Sequence, residues 1–190
     1  ETEGPSGVEP IFVVCDSNNS IVIVKGANGL LTPADVEAAA DAIAACRLLV
    51  LQLEIPIETV YAAIDLAVER GVPVLLNPAP ADPELDREYV SRCTYFVPNE
   101  TELSHLVGRD LESIEEIAAA GRELLADSNL ENLIVTLGSR GSLWLTENEE
   151  TLVEAHAVDA VDSTGAGDAF IGCFATRIIQ GFDIPEAIRD

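Results

Sequence analysis

The chain has 190 residues, 48% of them apolar, the size of one globular domain with an ordinary core, and no apolar run approaches the roughly 20 residues that span a bilayer. Ten Lys and Arg stand against 34 Asp and Glu, a net charge of −24 with Lys25 the only lysine, which excludes nucleic acid and anionic membranes as partners. The N-terminal stretch ETEGPSGVEP is neither basic nor apolar enough for a signal peptide, so a soluble cytoplasmic protein is expected.

In chain order, IFVV and IVIV flank the turn-forming CDSNNS and predict an antiparallel hairpin over residues 11–24. Thr32, Pro33 and Asp35 mark a helix start, and the Ala-rich amphipathic stretch after them predicts a helix to about Cys46. LLVLQLE, residues 48–54, is a nearly continuous apolar run, as expected of a parallel strand covered on both faces. IPIETVYAAIDLAVERG follows as a helix stopped by Gly71, and VPVLLN as a second buried strand. TYFVPNE predicts a third strand that breaks at Pro98 into a helix over Glu100 to Val107. Ser113 and Glu116 form a capping box that opens the next helix, before the strand NLIVTLG. GSLWLT and TLVEAHAV read as two more strands, and a helix follows DSTGAGD.

Strands alternating with helices imply βαβ units and a mostly parallel sheet, in which ligands sit beyond the carboxyl ends of the strands. Glu54, Asn77, Asn99, Gly138 and the stretch from Asp162 to Asp168 all fall just after strands. The four cysteines have no C-x-x-C pair and no zinc-ligand spacing, so they are expected to be reduced and mostly buried. His105, His156 and Trp144 have no partner pattern and read as structural or exposed. The acidity suits either solubility by net charge or a high-salt habitat in which repulsion is screened. The sequence contains no methionine and both ends stop within plausible structure, so a piece of a longer protein is expected.

The chemistry concentrates in DSTGAGDAF, residues 162–170. Gly165, Ala166 and Gly167 let backbone approach a ligand and present N–H groups at the positive end of the following helix, a cradle for phosphate or an oxyanion. Asp168, in the first turn, is an anion that can take a proton from a hydroxyl. Alone, the tripeptide reads equally as a glycine-rich loop and Asp168 as an ordinary first-turn aspartate. A dinucleotide fingerprint fails because its third glycine would fall on Phe170, and no G-x-x-x-x-G-K-[ST] loop exists. Asn99 and Glu102 share one face of a helical turn, where they could hold magnesium through water or form a capping box. Thr136 to Gly141 reads on its own as a tight turn between strands.

GAN at 26–28, LQLE at 51–54, LNPAP at 76–80, VPNETE at 97–102, TLGSRG at 136–141 and DSTGAGDAF, in this order and spacing, closely resemble the ribokinase family of carbohydrate kinases over nearly all of the chain. The resemblance implies a single three-layer α/β domain: a mostly parallel central sheet flanked by helices, plus part of a small β lid at residues 8–25. It implies transfer of the γ-phosphoryl of Mg-ATP to a sugar hydroxyl, with Asp168 as base and Gly165, Ala166 and Gly167 as the anion hole. Asn99, Thr136, Gly138, Ser139, Gly141 and Gly167 would hold ATP, and Glu54 with Asp168 the sugar. Asn99 and Glu102 would serve Mg2+, and Asp162 and Thr164 a monovalent cation, usually K+; Asp162 reads otherwise as an interior turn aspartate. Similar kinases often pair as homodimers through their lids, and they carry upstream sugar-binding motifs and terminal helices over adenine that this chain lacks. Two other classes remain: a catalytically silent sugar- or nucleotide-binding module of the same fold, and a dinucleotide oxidoreductase, which the missing fingerprint disfavours.

Overall fold

A computed structural model of the chain describes residues 4–8, 11–13, 19–21, 24–158 and 163–189. Strands β1 (Ile11–Val13) and β2 (Asn19–Ile21) pair antiparallel with Ile11 opposite Ile21, and a bridge between Val8 and Val24 extends the pairing outward. The expected hairpin is present, its return strand starting at Asn19, two residues before the apolar run; residues 14–18 of its turn lie outside the described residues.

Thr32 caps α1 (Pro33–Ala38) through a capping box with Asp35. The helix expected to run on to Cys46 instead breaks at Ala39 and resumes as α2 (Ala40–Ala44). At the junction the ladder tightens to i−3 bonds, Ala39 N–H donating to Val36 O and Ala42 N–H to Ala39 O, both at 3.0 Å.

The main sheet has the order β3 (Leu49–Leu51), β4 (Val74–Leu76), β5 (Tyr95–Phe96), β6 (Asn132–Thr136), β7 (Ser142–Leu145), β8 (Glu150–Val153). Its first four strands are parallel and its last two antiparallel. Helices α3 (Ile57–Glu69), α4 (Arg87–Val90), α5 (Glu100–Val107) and α6 (Ile114–Ala126) connect the parallel strands, and α7 (Ala166–Gln180) and α8 (Ile184–Arg189) close the chain. Side chains two apart on a strand share a face, and the core divides accordingly. Val74, Leu76, Phe96, Leu133 and Val135 pack with α3, α5 and α6, whereas Leu75, Val97 and Ile134 pack with Ile171 and Phe174 of α7 and with α8. This makes the three layers expected from the sequence. Among the described residues no helix is long and apolar enough to cross a membrane.

Three expectations are corrected. Regular pairing of β3 stops at Leu51 instead of running on to Glu54, and among the described residues β3 stands first in the strand order with Val50 42% exposed. Glu54 lies beyond the paired part of the strand, itself half-buried. Of the cysteines described, Cys93 alone is buried, its thiol pushed up to about 12 by desolvation, while Cys46, just after α2, and Cys173, on α7, are exposed. The short helices α4 and α8 have no counterpart in the sequence reading.

Candidate active site

The segments at the carboxyl ends of β3 and β6 meet the start of α7: Gln52, just after β3, bonds Asp168, and Thr136, at the end of β6, shares a cleft with Ala166 and Gly167. Gly165 caps α7 in the left-handed conformation, φ 74° and ψ 6°, which costs a residue with a β-carbon but not glycine. Ala166 N–H returns to Ser163 O at 3.1 Å, closing the turn, so Ala166, Gly167 and Asp168 are the first three helical residues. A β-carbon on Gly167 would meet nothing within 4 Å, so the space above this turn is open.

The helix is held from below. Phe174 is fully buried, meets Tyr95 edge to face at 5.6 Å and stacks with Phe170 at 6.1 Å. These aromatic contacts fix the axis of α7 against the sheet and thereby the place of Asp168. Asp168 is exposed, and its Oδ1 accepts a hydrogen bond from Gln52 Nε2 at 3.1 Å. Gln52 follows directly on β3 and is a residue to which the sequence reading assigned no role.

Beside this turn lies a cleft of about 710 Å³, within the range of small-molecule sites. One wall is Thr136, Gly138, Ser139 and Gly141, and Ala166 and Gly167 form part of the other. Thr136 ends β6, a short 3-10 turn spans Gly138–Arg140, and Leu137 N–H donates to Gly141 O at 2.8 Å. Gly141, at φ 98°, has no alternative: its β-carbon would stand 2.0 Å from Val153 O. Residues 154–158 and the end of α8 complete the cleft, where His156 Nε2 lies 2.9 Å from Arg189 O. His156, bland in sequence, is thus part of a wall, a placement that no local pattern signals.

Asn99 and Glu102 form a reciprocal capping box at the start of α5, each backbone N–H donating to the other's side-chain oxygen at 2.8 Å. Asn99 also bridges to Thr136, bringing the box against the cleft wall. Glu102 is 9% exposed, and burial raises its pKa above the usual carboxylate value, partly opposed by the Asn99 N–H. Arg140, the cation of TLGSRG, pairs with Glu100 in the same helical turn.

Of the sequence-predicted residues, Thr136, Gly138, Ser139, Gly141, Ala166 and Gly167 line one cleft, and Asp168 stands next to it. Thr164 is exposed in the turn before Gly165, and Asp162 lies outside the described residues. Among the described residues no group of three or more His, Cys, Asp or Glu could hold a metal by itself. Asn99 and Glu102 offer oxygen donors, the chemistry magnesium takes when it keeps most of its waters.

The sequence model of the family described as "pfkB family carbohydrate kinase" matches residues 1–190. The chain is 52% identical over 184 residues to the deoxyribokinase of Salmonella typhi, an alignment covering 97% of this chain and 60% of that protein. It is 40% identical over 187 residues to the ribokinase of Schizosaccharomyces pombe, covering 97% of this chain and 58% of that one. The structure of Arabidopsis thaliana ribokinase complexed with ribose and ATP superposes with a TM-score of 0.83 at 29% identity, over 98% of this chain and 60% of that one. The chain thus spans about 60% of the length of these relatives.

Proposed function

This chain belongs to the pfkB family of carbohydrate kinases, and from that premise we propose that the protein transfers the γ-phosphoryl group of ATP to a hydroxyl of a free pentose. The observation that carries the reading is the position of Asp168: a carboxylate in the first turn of α7, beside a cleft whose walls are the TLGSRG turn and the GAG turn. The names of the curated relatives, deoxyribokinase and ribokinase, support the sugar class.

Asp168 accepts the proton of the sugar hydroxyl as its oxygen attacks the γ-phosphorus, and the bond to the β-phosphate oxygen breaks to release ADP. The turn of Gly165, Ala166 and Gly167, at the positive end of α7, stabilises the charge spread over the transferred group through the N–H groups of Gly165 and Gly167, that of Ala166 being held by Ser163 O. Thr136, Gly138, Ser139 and Gly141 hold the nucleotide in the cleft, and Glu54 binds sugar hydroxyls. Asn99 and Glu102 would hold magnesium through water, and the ion would neutralise phosphate charge there. Thr164, with Asp162, which lies outside the described residues, would serve a monovalent cation.

The test is sugar-dependent ADP release by the full-length protein over ribose, deoxyribose, other sugars and nucleosides, with Asp168→Asn alongside. Turnover on a pentose is expected, falling by roughly two to four orders of magnitude in Asp168→Asn while ATP still binds. ATP binding without turnover on any acceptor would instead favour a silent binding module.

A further inference from the structure

Gln52 is a polar residue inside an apolar run, half-buried, and it directly follows the last paired residue of β3. The backbone on both sides of it is tied to the neighbouring strand: Leu51 O accepts from Asn77 N–H at 3.0 Å, and Leu53 N–H donates to Ala79 O at 2.9 Å. From this fixed base its Nε2 reaches across 116 residues of sequence to Asp168 Oδ1, at 3.1 Å. An ionised carboxylate only accepts, so the amide nitrogen is the atom that faces it. The other carboxylate oxygen turns toward the glycine turn: Oδ2 lies 4.0 Å from where a β-carbon on Gly165 would stand.

We propose that Gln52 is a positioning residue, which holds Oδ1 of Asp168 so that Oδ2 is presented to the sugar hydroxyl. This rests on Asp168 being the general base. An exposed aspartate at a helix start otherwise samples several rotamers, and only one aims an oxygen into the transfer path. A neutral amide suits the task better than Arg or Lys, because it orients the carboxylate without placing beside it a cation that would weaken it as a base.

Two near-isosteric variants of the full-length protein test this, with Asp168→Asn as the control and thermal melting as the check on folding. In Gln52→Leu, which loses the donor, kcat is expected to fall about 10- to 100-fold with KM for ATP within about twofold. In Gln52→Glu, which also adds a like charge, the acid limb of the kcat/KM profile is expected to move to higher pH. If Asp168→Asn keeps turnover within tenfold of the parent, the base reading fails and this inference with it. If Asp168→Asn is inactive but kcat in Gln52→Leu falls less than tenfold, or the acid limb in Gln52→Glu stays in place, the Gln52 inference alone is overturned.

Discussion

Two glycines in the site look alike in sequence and do different work. Gly141 is required by the fold, since its φ of 98° disfavours any β-carbon and Val153 O stands 2.0 Å from where one would lie. Gly141→Ala should therefore lower stability by about 2 to 4 kcal/mol, read by chemical denaturation. Gly167 is required by nothing in the fold: it is helical and has open space on its β-carbon side. Gly167→Ala should leave stability equal or higher by up to about 1 kcal/mol, as alanine gains helix propensity, and yet reduce turnover about 100-fold by crowding the phosphoryl group. Equal turnover in Gly167→Ala would place the anion elsewhere. Asp168 and the GAG turn became candidates through the family resemblance that DSTGAGDAF completes, because alone they read equally as a glycine-rich loop and an ordinary first-turn aspartate. Gln52 did not, although the motif LQLE contains it, because its contact with Asp168 lies 116 residues away and no local pattern encodes it.

At the level of elements, the strongest signals were local. Thr32 with Asp35, Asn99 with Glu102 and Ser113 with Glu116 each form a capping box, and Gly71 ends its helix with φ 69°. What failed was long-range. An apolar run does not say where regular pairing will stop, as β3 does at Leu51, and the Ala-rich stretch carries no residue that marks the break at Ala39. The Asn99–Glu102 box is a cap built from the two residues proposed to hold magnesium. Asn99→Ala should cost about 1 kcal/mol through the lost cap. Glu102 behaves differently, because burial raises its pKa in the folded state. The folded protein then holds this proton more tightly than the unfolded chain. The stability it contributes is full below the unfolded carboxylate value and is lost as pH rises through the raised one. Glu102→Gln keeps an oxygen for the Asn99 N–H and never ionises. The variant should thus be as stable as the parent at low pH, more stable at neutral pH, and less active wherever magnesium is limiting. Denaturation of both proteins from about pH 4 to about pH 8 checks the sign; parallel stability profiles would clear Glu102 of any ionisation cost.

For the molecule as a whole the controlling quantity is a net charge of −24. Among the described residues Arg70, Arg92, Arg109, Arg122 and Arg140 pair with single carboxylates, and ten cations in the whole sequence cannot offset most of its 34 acidic residues. Salt acts on both populations. It weakens the five pairs, but these lie at the surface, where such pairs contribute about 0 to 1 kcal/mol each. It also weakens repulsion among the unpaired carboxylates, whose many mutual distances fall inside a Debye length of about 10 Å at 0.1 M but outside one of about 3 Å at 1 M. The second population is larger, so screening should stabilise the fold. We expect Tm to rise by roughly 5 to 10 °C between 0.1 M and 1 M NaCl, the size of change that a few kcal/mol produces in a domain of this length. An equal osmolality of a zwitterionic osmolyte separates this from general surface exclusion, since it leaves the charges unscreened and should produce a smaller rise. A flat or falling Tm in NaCl would mean that the few ion pairs outweigh the many repulsions, and the acidity would then serve solubility rather than a high-salt habitat.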